Sequence, residues 1–170
     1  SNSSQILKTD LTLINKDIHP HEEIQITQIY LSDKKYPPGF ITQSYMNSVK
    51  ENFSKCKYTL YNNEMIEAFI DKYFNSEILK AYKSLKPYAF KSDLARLCIL
   101  YINGGWYVDV SLNWRYQNPK YLTKNKNIEL IVFRDIPESS GTSWACANAL
   151  IFSKPFHPVI EEAIKKIVKN

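Results

Sequence analysis

The chain has 170 residues and a formal charge of +5, from 22 Lys and Arg against 17 Asp and Glu, with a pI near 9.0. That length suits one compact domain, and 44% hydrophobic with 14% aromatic residues supplies a core, which excludes a disordered or low-complexity tether. Apolar runs fall far short of the roughly 18 residues of a membrane span, Cys56, Cys98 and Cys146 lack zinc spacing, and scarce arginine argues against nucleic acid.

Residues 1–22 read as a polar lead-in and residues 23–170 as a single domain. From Glu23 the string EIQITQIYL reads as a first buried strand, and the turn YPPGF leads to a helix over 41–52 with Ile41, Tyr45, Met46 and Val49 on one side. Lys57 to Tyr61 alternates as a second strand. Asn62 and Asn63 offer a cap for a helix with Met65, Ile66, Phe69, Ile70, Tyr73 and Phe74 along its apolar face. A further helix follows from Ser76 to Leu85. Later, Glu129 to Phe133 and Ala149 to Phe152 read as strands, and Pro158 opens a last helix through Val168. Strands alternating with helices predict a layered α/β domain with a mostly parallel sheet.

Residues 87–114 carry most of the chemistry. Pro87 suits a helix's first turn, Ala89, Phe90, Leu94, Leu97, Cys98 and Tyr101 form its apolar stripe, and Asn103-Gly104-Gly105 ends it. Asp93 and Arg96 share a face at i, i+3, either as an intrahelical ion pair or as two groups reaching over a sugar phosphate. Trp106 to Ser111 reads as a strand with Tyr107, Asp109 and Ser111 on one face. A carboxylate at the C-terminal end of such a strand lies where open α/β sheets bind ligands. There it either sits in solvent, capping a loop, or holds a Mg²⁺ or Mn²⁺ ion bridging to a diphosphate.

The run KSDLARLCILYINGGWYVDVS resembles the glycosyltransferases with a D-x-D sugar-binding motif, a group that includes the yeast initiating mannosyltransferase and, more distantly, the clostridial glucosylating toxins. Ser92, Asp93, Leu94, Arg96, Gly104, Gly105, Tyr107 and Asp109 fit its pattern of Ser-Asp-Leu-x-Arg followed by Gly-Gly-x-Tyr-x-Asp-x-Asp. Thr27 to Tyr30, Tyr58 to Asn63, Asn148-Ala149 and Lys154 to Pro158 resemble the group's other elements, so the likeness covers residues 23–168. It implies a GT-A type, Rossmann-like fold, truncated at the C-terminus, in which a nucleotide diphosphate sugar donates a hexose to a glycan or lipid-linked acceptor. Retention of anomeric configuration and a role in surface polysaccharide synthesis follow from the same likeness. It also implies that Gln28 and Tyr30 lie near the nucleotide, Asp93 and Arg96 near the sugar and its phosphate, and Tyr107, Asp109 and Asn148 around the donor. Arg96 and Asp109 would serve catalysis, and Asp109 with Ser111 would hold Mn²⁺ or Mg²⁺.

The second Asp of the motif is Ser111 here, which replaces an anionic ligand by a hydroxyl and weakens the hold on a divalent ion. A non-catalytic donor-binding or scaffold module is therefore the alternative expectation. His157, before a helix-opening proline, reads as a packing or capping residue, and Trp144 as core, leaving Asn148 the better site candidate. Cys98 and Cys146 in apolar stretches suit a reducing compartment. With a lysine-rich surface, this gives an expected cytoplasmic location with peripheral contact on the inner face of a membrane.

Overall fold

A computed structural model describes residues 18, 21–33, 36–115, 127–134 and 146–170, with residues 134 and 146–148 described by backbone alone. Its elements in chain order are β1 (Gln25–Ile29), α1 (Phe40–Asn52), β2 (Lys57–Tyr61), α2 (Asn63–Tyr73), α3 (Ser76–Ser84), α4 (Tyr88–Asn103), β3 (Gly105–Val108), β4 (Leu130–Arg134), β5 (Cys146–Ser153) and α5 (Pro158–Lys169). Local chemistry starts several of them. The Asn62 side chain accepts from the Met65 N–H at 2.9 Å and Asn75 from the Ile78 N–H at 3.1 Å, satisfying helix-start donors that would otherwise be orphaned. His157 caps α5 in the same way, its Nδ1 accepting from the Val159 N–H at 3.1 Å, as its place before Pro158 predicts.

Among the described residues the strands form one sheet in the order β2-β1-β3-β5-β4. β1 runs parallel to β2 and β3, β5 antiparallel to β3, and β4 antiparallel to β5, so all the strands but β5 point the same way. α1 covers one face, where Val49 and Phe53 pack on Ile26, Trp106 and Val108. The remaining helices cover the other, with Ile66, Ile78, Leu94 and Ile160 in one cluster with Ile29 and Tyr107. The expected α/β layering holds. Of the lead-in, Ile18 packs against this second cluster and His21 Nε2 lies 3.1 Å from Asn103 Oδ1; residues 1–17 and 19–20 are outside the described residues.

Three expectations change. The stripe expected on α4 is too narrow: from Leu94 the helix is buried on most sides, because it lies under the sheet and touches α2, α3 and α5 as well, while Phe90 is 53% exposed. On α1, Ile41 faces solvent and only Met46 and Val49 are buried. β3 stops at Val108, and the Leu112 N–H donates to the Asp109 carbonyl in a turn at 3.1 Å. Asp109 and Ser111 thus lie in a turn, where strand alternation no longer sets their directions.

The two glycines at the junction of α4 and β3 have different neighbours and the same constraint. Gly104 ends the helix at φ 63°, and Gly105 follows at φ 87°. A Cβ on Gly105 would stand 2.1 Å from the Gln25 carbonyl oxygen, so the close approach of β3 to β1 depends on its absence. Gly105→Ala is expected to cost about 3 kcal/mol or more, from left-handed strain plus backbone displacement. A urea midpoint unchanged from the parent's would contradict this account of the glycine pair.

Candidate active site

The parallel run of β1, β2 and β3 puts their C-terminal ends along one edge of the sheet. Pairing of Thr27 with Tyr107 brings Tyr30 and Asp109 to that edge. α4 ends immediately before β3 begins, so it runs back across the sheet, and its N-terminal half reaches the same edge. Two segments far apart in sequence therefore converge there. The loop after β1 is fastened to this end of α4 by the Tyr88 hydroxyl, which donates to Asp33 Oδ1 at 2.5 Å.

Arg96 is the centre of the arrangement. Its side chain is 9% exposed, and the guanidinium carbon lies 4.5 Å from the centroid of the Tyr107 ring. Nε donates to the Ser92 carbonyl at 3.2 Å, Nη2 to Ser92 Oγ at 3.3 Å, and Nη2 pairs with Asp93 Oδ1 at 3.3 Å. A planar cation over an aromatic face with a hydrogen-bonded fork is a geometry that lysine cannot reproduce. The i, i+3 pair inferred from spacing is formed, and the half-exposed Asp93 faces solvent beyond it. Ser92 fits the sequence pattern, yet nothing in its own type announces that it would hold Arg96 by both its backbone and its hydroxyl.

Burial pushes the Tyr107 phenol up to about 12; the charge of Arg96 works against that rise, while the charges of Asp109 and Asp93 add to it. Arg96 lies over that ring and pairs with Asp93, and Asp109 follows Tyr107 by two residues. Beside it, the Ser111 hydroxyl donates to Asp109 Oδ2 at 3.0 Å.

Gln28 and Tyr107, expected to touch the donor, have no solvent exposure. Gln28 Oε1 accepts from the Tyr58 hydroxyl at 2.6 Å, and its Nε2 has no hydrogen-bond partner among the described residues. The two are sealed on opposite faces of the sheet: Gln28 shares the face of Ile26, which α1 covers, and Tyr107 shares the face of Ile29, which the other helices cover. They back the edge and do not line it. Tyr30 is half-buried just past β1, its N–H donating to the Tyr61 carbonyl at 3.1 Å. Asn148 lies on β5, but its side chain, like the whole of Trp144, is outside the described residues.

No group of three or more His, Cys, Asp or Glu among the described residues could hold a metal ion. The donor set at the turn is one carboxylate with one oxygen already accepting from Ser111. Such a set fits a Mg²⁺ or Mn²⁺ ion whose shell is completed by phosphate oxygens and water; it does not fit a metal held by protein ligands alone.

Residues 40–126 match the family described as "Glycosyltransferase sugar-binding region containing DXD motif". The chain is 29% identical to the "Uncharacterized glycosyltransferase L373" of Acanthamoeba polyphaga mimivirus, over 84% of this chain and 54% of that protein. It is 27% identical to the "Putative glycosyltransferase HOC1" of Saccharomyces cerevisiae, over 88% of this chain and 43% of that one. The chain thus spans about half the length of the curated relatives it matches.

Proposed function

The chain belongs to the glycosyltransferases whose sugar-binding region contains a DXD motif, and we propose that it transfers a hexose from a nucleotide diphosphate sugar to a glycan or lipid-linked acceptor with retention of configuration. A five-stranded sheet between helices, with all strands but one pointing the same way, agrees with the GT-A type fold of such enzymes. The observation that carries the reading is that Arg96, paired with Asp93, lies over Tyr107 at the C-terminal edge of the sheet, where Asp109 follows two residues further on.

In this reading the half-exposed Asp93 accepts hydrogen bonds from sugar hydroxyls, and Tyr30 lies against the nucleoside. Arg96 supplies positive potential where charge builds on the departing diphosphate, held by Ser92 and Tyr107 so that it need not reorganise during reaction. Asp109 would hold a divalent cation, Mn²⁺ or Mg²⁺, through the oxygen that Ser111 leaves open, and Asn148 would contact the donor. When bound, that ion neutralises charge on the diphosphate as a Lewis acid. Gln28 and Tyr107 fix the wall behind these groups. A place in surface polysaccharide synthesis, at the inner face of a membrane, is consistent with the lysine-rich surface; among the described residues no helix is long and apolar enough to cross one.

One observation favours a second reading, a donor-binding module without catalysis: the turn offers a single carboxylate, Ser111 standing where the motif has its second Asp. Donor hydrolysis with and without Mn²⁺, for the parent chain and for Ser111→Asp, separates the two. We expect the parent to hydrolyse a nucleotide sugar with Mn²⁺, and the variant to need about tenfold less of the ion, since a second anionic ligand strengthens divalent binding. Hydrolysis only in the variant would establish the non-catalytic reading.

A further inference from the structure

Beside the motif turn, a groove of about 390 Å³ runs along the outer face of α1, lined by Phe40, Gln43, Ser44, Asn47 and Glu51 of that helix and by Asn113. We infer that this groove is the acceptor subsite and that its ligand is a neutral hexose-containing glycan. The inference rests on the glycosyltransferase reading and adds to it the surface that presents the second substrate.

Chemistry selects the ligand. Among the described residues Glu51 is the single charged side chain lining the groove, so a nucleotide diphosphate would meet a carboxylate there and none of their cations. Amides and hydroxyls, each able to donate and accept, match a polyhydroxylated neutral ligand instead. Gln43 Nε2 donates to Asn47 Oδ1 at 3.0 Å, which sets both amides in a fixed row along the helix. Phe40 is 89% exposed at one end, an apolar ring of the kind that the C–H face of a hexose covers. The volume falls in the range of about 300–1,000 Å³ usual for small-ligand pockets.

Position selects the role. Asn113 lies four residues beyond Asp109 on the segment that leaves the motif turn. That segment is tied to α1: the Trp114 N–H donates to Ser48 Oγ at 2.8 Å, and the Trp114 ring meets Phe53 edge-on at 5.1 Å. One wall of the groove is therefore anchored to the same stretch of backbone as Asp109, which is what an acceptor needs if its hydroxyl is to meet a donor held there.

The test follows the side-chain amide NMR signals of Gln43, Asn47 and Asn113 in the full chain, titrated with the methyl glycosides of glucose, mannose and galactose. At least one glycoside is expected to shift all three, Asn113→Ala to abolish the response, and Phe40→Ala, at a solvent-facing position, to weaken it about three- to tenfold through loss of a single stacking contact. No shift at the solubility limit overturns the assignment. So does an equal shift produced by uridine diphosphate, which would make the groove a nucleotide pocket. Calorimetry of a nucleotide sugar on the same protein separates the readings: donor binding without a glycoside response sinks this subsite alone, and a glycoside response without donor binding sinks the transferase proposal.

Discussion

Asp109→Ala is expected to remove measurable binding of a nucleotide diphosphate sugar while leaving the fold intact. The residue lies past the end of β3, is half-buried, and its side-chain hydrogen bond is to the exposed Ser111, so truncation opens no cavity in the core. It does remove the carboxylate that the turn offers to a divalent ion linking protein to diphosphate. The affinity lost is at least about 100-fold, or about 2.7 kcal/mol, in line with one charge-assisted contact. Asp109→Asn keeps the shape and the turn yet lacks the charge, and it is expected to lose nearly as much. Calorimetry with Mn²⁺ and a set of nucleotide sugars reads both variants. Undiminished binding in either one, with a melting point equal to the parent's, would remove Asp109 from the donor site and with it the main support for the proposed chemistry.

Why Asp109 could be singled out from sequence, while the direction of its side chain could not, follows from how each feature is encoded. Strands such as Gln25–Ile29 and Lys57–Tyr61 and the caps Asn62 and His157 are local, written in residues within a few positions of one another, and they were legible. The end of β3 is not local. It is set by a turn closed from Leu112 and by the Asp109 N–H donating to the Ala149 carbonyl on β5 at 2.7 Å, a partner forty residues away. The antiparallel course of β5 is hidden for the same reason, since a strand's own pattern gives its faces and not its neighbours. In the site, the spacing of Asp93 and Arg96 told that they share a helix face. That Arg96 lies over the Tyr107 ring, and that Gln28 is sealed behind Tyr58, depends on what the sheet carries opposite each of them.

Arg96→Lys separates charge from geometry at the second residue on which the proposal leans. Lysine keeps the positive charge within reach of Asp93, but it has neither the planar face that rests on Tyr107 nor the fork that engages both the carbonyl and the hydroxyl of Ser92. Left without those partners in a nearly closed site, the groups around it are expected to lower stability by about 1–3 kcal/mol, the cost of unsatisfied buried polar groups. The catalytic consequence is expected to be larger than the structural one. A cation that must move into place as the diphosphate departs is no longer preorganised, and kcat should fall about 100-fold, the usual effect of displacing one such stabilising group. Donor KM should change much less, because the ground-state diphosphate still meets a positive charge. Measuring kcat and KM well below the variant's melting temperature isolates the chemical effect from partial unfolding. If the melting point drops while kcat stays at the parent's value, Arg96 is a packing residue for Tyr107, and the charge that stabilises the departing diphosphate must come from elsewhere on this edge.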